Sequence, residues 1–149
     1  MEFKQITANK KQFLDLLLLA DEQESMIDKY LECGEMFALY DEDLKTICVV
    51  TKENEGVYEI KNLATYEKYQ GLGYGKRMLE HIFEYYKNKC QIMLVGTGDS
   101  PLTIPFYEAC GFTISHRIPN FFIDYYDHPI YEGGKQLVDM VYLKKEYNV

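Results

Sequence analysis

The 149-residue sequence predicts an α/β (α+β) fold, a single domain over residues 1–149 with a mixed, twisted sheet of six to seven strands and about four flanking helices. Three observations predict it. Apolar residues alternate with polar ones between Met36 and Tyr66, the period of strands. From Tyr74 the period changes to 3.6, and a second strand-like run, "QIMLVGTG", follows. Strand, helix and strand in that order make a crossover unit, which places two parallel strands in one sheet. Finally, 47% apolar and 15% aromatic residues are enough to bury a core in a chain of this length.

The elements follow in order. Glu2 to Thr7 reads as a short strand, and Thr7 or Asn9 suits the N-cap of a helix running to about Ala20. Its apolar run, "QFLDLLLLA", is too short to span a bilayer and is interrupted by Asp15. No small-residue cleavage site follows it, so an amphipathic first helix is expected rather than a signal peptide or membrane segment. A second helix is expected from about Glu22 to Glu32, ending near Gly34. Three strands then lie between Met36 and Tyr66, joined by the polar clusters "DED" and "KENEG". In the helix from Tyr74, Met78, Leu79, Ile82, Phe83 and Tyr86 share one face. "SPLTIPFYEACGF" reads as a short helix with Gly111 at C′; Pro101 suits a first turn, and Pro105 should shorten or bend the helix. Phe112–Arg117 and Gln136–Lys144 complete the strands. The aromatic segment between them, 118–134, has the residues to wall a pocket, pack a core or enter a homodimer contact.

Composition narrows the function. A formal charge of −8 argues against nucleic-acid partners, which need clustered Lys and Arg, and suits a cationic partner. Cys33, Cys48, Cys90 and Cys110 form no CxxC pair and sit in apolar settings, so buried free thiols in a reducing cytoplasm are expected. His81, His116 and His128 have no metal-ligand spacing, His81 reads as a surface residue, and no metal is expected.

Glycines occupy alternate positions at the mouth of the Tyr74 helix: Gly71, Gly73 and Gly75. Two phosphate loops can be tested by spacing. A P-loop needs Gly five places before Gly75 and Ser or Thr after Lys76; the residues are Gln70 and Arg77. The dinucleotide fingerprint would need Gly at Lys76 or at Met78. What remains is Gln-x-x-Gly-x-Gly, from Gln70 to Gly75. It reads either as a simple turn or as an anion site made of backbone N–H groups at the positive end of a helix.

"YEKYQGLGYGKRML" resembles the acetyl-CoA signature of the GNAT N-acetyltransferase superfamily, and "PFYEACGF" resembles that superfamily's second signature. The order of elements agrees over essentially the whole chain, and the tail "DYYDHPIYEGGKQLVDMVYLKKE" looks most like small bacterial members. The resemblance implies the GNAT acyl-CoA N-acyltransferase fold and acetyl-CoA as co-substrate. It implies that Leu63, Ala64 and Thr65 pair with the pantetheine arm. It implies that the amides of Gln70, Gly71, Leu72, Gly73, Tyr74, Gly75 and Lys76 bind the pyrophosphate. It further implies that Tyr107 protonates the departing sulfur and that Glu59 takes the amine's proton. A backbone N–H near Leu63 would polarise the carbonyl.

Strand alternation puts Glu59 and Lys61 on one face, so an ion pair between them is the other reading of Glu59. Where many relatives carry Asn at the start of the signature helix, this chain has Asp99 and Ser100; Ser100 is the candidate cofactor contact. The expected activity is acetyl transfer from acetyl-CoA to a primary amine of a small molecule or peptide. The alternatives are a protein N-terminal or lysine acetyltransferase and a non-catalytic acyl-CoA sensor.

Overall fold

The structure is a computed structural model and describes residues 1–147. Its strands are β1 (Glu2–Ile6), β2 (Glu35–Asp41), β3 (Asp43–Asn54), β4 (Val57–Thr65), β5 (Ile92–Gly98), β6 (Thr113–Ile118), β7 (Tyr131–Glu132), β8 (Lys135–Gln136) and β9 (Met140–Glu146). Seven of them form one sheet in the order β1-β2-β3-β4-β5-β9-β6, and β7 and β8 make a separate small hairpin. The α-helices are α1 (Leu14–Ala20), α2 (Glu24–Ile27), α3 (Tyr74–Tyr86), α4 (Ile104–Ala109) and α5 (Phe121–Asp124). Within the sheet only β4 and β5 run parallel, and α3 is the crossover between them. The crossover expected from the change of period is therefore present. Among the described residues no helix is long and apolar enough to cross a membrane.

The sheet has a core on each face. Tyr58, Ile60, Met93, Val95, Val141 and Leu143 meet the apolar stripe of α3 on one side, together with Tyr107 of α4. Met36, Ala38, Ile47, Val49 and Ala64 meet Leu16 and Leu17 of α1 on the other. The aromatic segment builds a smaller cluster from Phe122, Ile130 and Leu137.

Several expectations are corrected. The first helix does not start at an Asn9 cap: Asn9 is left-handed at φ 54 without a capping bond, and Lys10–Phe13 is a 3-10 turn. The reason is Lys10. Its ammonium is buried and donates to the carbonyls of Leu31 (3.0 Å), Glu32 (3.3 Å) and Gly34 (2.7 Å). Those carbonyls end the second helical segment, which is regular only over Glu24–Ile27 rather than to Glu32. The last strand is interrupted between β8 and β9 rather than continuous from Gln136. Of the two effects expected of Pro105, the helix is shortened and not bent: α4 starts only at Ile104, and proline sits in its first turn, where no N–H is needed. His81 is half-buried rather than fully exposed: its ring stacks on Phe3 with centroids 4.1 Å apart, and burial lowers its pKa. Cys48 and Cys90 are buried free thiols, but Cys33 is exposed and Cys110 half-buried.

Candidate active site

The site originates in a failure of two strands to stay together. β4 and β5 pair only from Val57–Ile60 to Ile92–Val95. Beyond that, β4 keeps its partner β3 through Thr65, while Gly96–Gly98 of β5 pair with β9. The edge of β4 at Leu63, Ala64 and Thr65 is thus free on the β5 side. A cavity of about 750 Å³ fills the gap. Part of the cause is a β-bulge: Val49 faces Asn62 and Val50 faces Ile60, which leaves Lys61 as the extra residue. The glycines of β5 let side chains of the neighbouring segment pack close, since a Cβ on Gly96 would stand 2.6 Å from Met140 Sδ and one on Gly98 2.5 Å from Leu137 Cδ1.

At one end of the cavity lies the glycine loop. Gly71 and Gly73 have φ of 78° and 90°, a conformation that side chains oppose, and Gly73 is the N-cap of α3. The first amide of this stretch with a helical partner is Arg77 N–H, which donates to Gly73 O. Among the described residues the amides of Gly71 through Lys76 have no backbone acceptor. They gather at the positive end of α3, with Lys76 and Arg77 adding charge. The glycines differ in purpose. A Cβ on Gly71 or Gly73 would meet nothing within 4 Å, so their requirement is backbone shape. Gly75 lets Phe106 of α4 approach, since a Cβ there would be 3.3 Å from its ring. Gln70 uses its side chain to close the loop, with Nε2 donating to Thr65 O at 3.0 Å. The Leu72 side chain is exposed and outside the cavity lining.

Tyr107 projects into the same cavity from α4. Its position is locked behind it by the helix end: Gly111 N–H donates to Glu108 O and Phe112 N–H to Tyr107 O, both at 3.1 Å. This is the paired bonding of a Schellman cap, with Gly111 at C′ and φ 99°, as its sequence position predicts. The phenol ring packs edge-on against Phe106 and Phe112. Among the described residues Tyr107 Oη has no hydrogen-bond partner, and burial pushes its pKa well up. It therefore carries its proton at neutral pH.

Two predicted residues stand apart. Glu59 is buried and does not line the cavity, as its neighbours Ile60, Lys61 and Asn62 do. Its Oε2 pairs with Lys61 Nζ at 3.1 Å and accepts from Tyr142 Oη at 2.9 Å. The bulge also breaks the simple alternation assumed for this strand: Asn62 faces α1 instead of sharing the side of Ile60. Ser100 is buried but not a lining residue; its Oγ accepts from Leu102 N–H at 3.0 Å and so shapes the turn before α4. Leu102, Thr103 and Phe106 reach the cavity in its place.

The far end of the cavity was not anticipated. Asp21 and Glu22, just after α1, meet Phe122, Tyr126, Tyr131 and Glu132 of the aromatic segment. Tyr126 Oη donates to Asp21 Oδ1 at 2.8 Å and Tyr30 Oη to Oδ2 at 3.1 Å. Burial raises the pKa of Asp21 against the opposing effect of these bonds. Burial also raises that of Glu132, with Ser100 opposing and Glu22 adding to the rise. Of its three possible roles, the aromatic segment thus fills two, packing and cavity lining. Among the described residues no three His, Cys, Asp or Glu side chains gather as metal ligands would.

Comparison with known proteins agrees with this architecture. Residues 32–114 match the family described as "Acetyltransferase (GNAT) domain". The Bacillus subtilis (strain 168) protein called uncharacterized N-acetyltransferase YvbK is 37% identical over 132 residues, covering 87% of this chain and 85% of its own. The crystal structure of a GNAT family acetyltransferase from Elizabethkingia anophelis with acetyl-CoA bound superposes with a TM-score of 0.91 at 35% identity, covering 97% of each chain. An IAA acetyltransferase from Bacillus cereus superposes at 0.90 with 31% identity, covering 97% of this chain and 98% of its own.

Proposed function

The chain belongs to the GNAT acetyltransferase family, and from that premise we propose that it carries an acetyl group from acetyl-CoA directly to a primary amine of a small molecule or peptide. The observation that supports this most is the free edge of β4 at Leu63, Ala64 and Thr65. It leads into the amide-rich loop and shares one cavity with Tyr107. An extended pantetheine arm can add to such an edge as a strand would. The amides of Gly71 to Lys76 fit the pyrophosphate at its end. The relative from Elizabethkingia anophelis, of the same fold, has acetyl-CoA bound.

Bound acetyl-CoA would supply a thioester carbonyl for the amine to attack. In the transfer the amine nitrogen bonds the acetyl carbon and the carbon–sulfur bond breaks, leaving its electron pair on sulfur. Tyr107 supplies the proton that sulfur needs. A phenol near 10 and a thiol near 8.5 make full transfer uphill by roughly 2 kcal/mol in water. Inside the cavity, burial disfavours the thiolate as it disfavours the phenolate, so the departing sulfur's need for a proton rises along with the phenol's hold on its own. The amine must lose a proton before attack. Glu59 stands behind the wall formed by Lys61 and Asn62, so it would receive that proton through a relay rather than by direct contact.

Thiol release from acetyl-CoA over a panel of amines, peptides and proteins tests the reading. Release with small amines or peptides supports it. Release only with protein substrates, or tight acetyl-CoA binding with no release at all, would replace it with one of the alternatives.

A further inference from the structure

We infer that the acceptor is a small amine with a second positive charge, and that Asp21 and Glu132 hold that charge at the end of the cavity away from the glycine loop. The inference rests on the transferase reading above and adds the chemistry of the acceptor.

Charge along the cavity is divided. Its lining cations are Lys76, at the loop, and Lys61, which Glu59 neutralises. The other end presents Asp21, Glu22 and Glu132. Among the described residues neither Asp21 nor Glu132 has a lysine or arginine within ion-pair distance, and Glu22 has only His128 Nε2 at 4.0 Å. Lys29, whose charge favours ionised Asp21, lies over the Tyr125 ring instead. Even half-burying carboxylates without a cation is costly, and the raised pKa values of Asp21 and Glu132 reflect that cost. An ammonium entering the cavity would offset it.

A second observation points the same way. Asn62 lines the cavity and is buried, and its Oδ1 is without a hydrogen-bond partner among the described residues. Its Nδ2 donates to Leu17 O at 3.0 Å and to Tyr30 Oη at 3.1 Å, so flipping the amide would lose both bonds. Tyr30 in turn donates to Asp21. A buried carbonyl lacking a donor and a carboxylate lacking a cation thus belong to one hydrogen-bonded network. An ammonium at Asp21 would bring the missing charge to the accessible end of this network, whose other members Tyr30 and Asn62 bind the carboxylate only through neutral donors. The aromatic faces of Phe122, Tyr126 and Tyr131 on the same wall suit the methylene chain and the cation.

The test compares 1,4-diaminobutane, butylamine and 4-aminobutanoate as acceptors with the full-length protein and acetyl-CoA. Expected is a kcat/KM for the diamine at least about tenfold above butylamine, with 4-aminobutanoate poorest. Asp21→Asn and, separately, Glu132→Gln should each lower the diamine-to-butylamine ratio by about tenfold while acetyl-CoA affinity, read by calorimetry, confirms the fold. Equal use of diamine and monoamine, or a ratio unmoved by both substitutions, would overturn the inference while leaving the transferase reading in place. If no amine releases thiol, that reading fails instead. Calorimetric binding of the diamine in the presence of coenzyme A then decides the inference: weaker binding in the variants supports it, and binding no tighter than that of butylamine overturns it.

Discussion

Replacing Tyr107 by Phe removes a single hydroxyl from a ring whose packing against Phe106 and Phe112 would be retained. The variant should bind acetyl-CoA as before and turn over about 10²-fold more slowly, within the usual contribution of one acid–base group. Calorimetry and thiol release measure the two separately, and undiminished turnover would make Tyr107 a packing residue. Glu59 poses a harder question because Lys61 and Tyr142 already engage its carboxylate. Glu59→Gln keeps the shape and removes the charge. If Glu59 receives the amine's proton, turnover falls and recovers at higher pH, where more acceptor is neutral without help. If it only orients Lys61 at the cavity wall, KM shifts while the pH–rate profile keeps its form. An unchanged profile with unchanged constants would assign the proton to water alone. The short helix that carries Tyr107 was legible in the sequence because its stop is local, a glycine with an obligatory positive φ. The setting of Glu59 was only half legible: spacing put Lys61 beside it, but nothing local announces Tyr142, which lies on another strand.

At the scale of elements, the carbonyls that close the segment from Lys10 to Gly34 are held by one side chain. α1 and α2 are short, and the turns after α2 leave carbonyls that neither helix nor sheet satisfies. The Lys10 ammonium takes those of Leu31, Glu32 and Gly34. Lys10→Met preserves the aliphatic stem and removes the donors, stranding buried carbonyls. It should cost about 2–4 kcal/mol, read as a fall in the urea midpoint. A change under about 0.5 kcal/mol would show that water replaces the lysine. Because Asp21 and Glu22 belong to this segment, the same substitution should weaken amine binding more than acetyl-CoA binding. The sequence offered two longer helices here because helical periodicity reports which face is apolar. It does not report that a distant ammonium will claim the carbonyls at a helix end.

For the whole molecule, the decisive feature is the divergence of β4 from β5, which separates a loop rich in free amides from an acidic, aromatic end. A ligand spanning this gap binds the folded chain alone, so it stabilises by mass action. At a concentration about 100 times its Kd, acetyl-CoA should add about 2.7 kcal/mol, a Tm rise of roughly 5–10 °C. Gly73→Glu should abolish the rise. It sets a carboxylate where the phosphates belong and forces a side chain onto a φ of 90°. A rise that persists in the variant, with the fold intact, would move the phosphate site elsewhere.

What the sequence by itself determined is local: α3 with its buried stripe, the glycines that shape its entry, the cap at Gly111 and the alternation that builds the sheet. Each depends on residues a few positions apart, where backbone geometry and side-chain size decide the outcome. Only the tertiary structure decided where β4 and β5 separate, that the bulge at Lys61 sends Asn62 toward α1, and that Asp21 meets Tyr126, 105 residues away. Strand pairing and bulges minimise the energy of the whole sheet, and a short window of sequence carries no information about a partner on a distant strand. The acidic end of the cavity is such a product: its carboxylates and aromatics come from two segments that only the closed fold brings face to face.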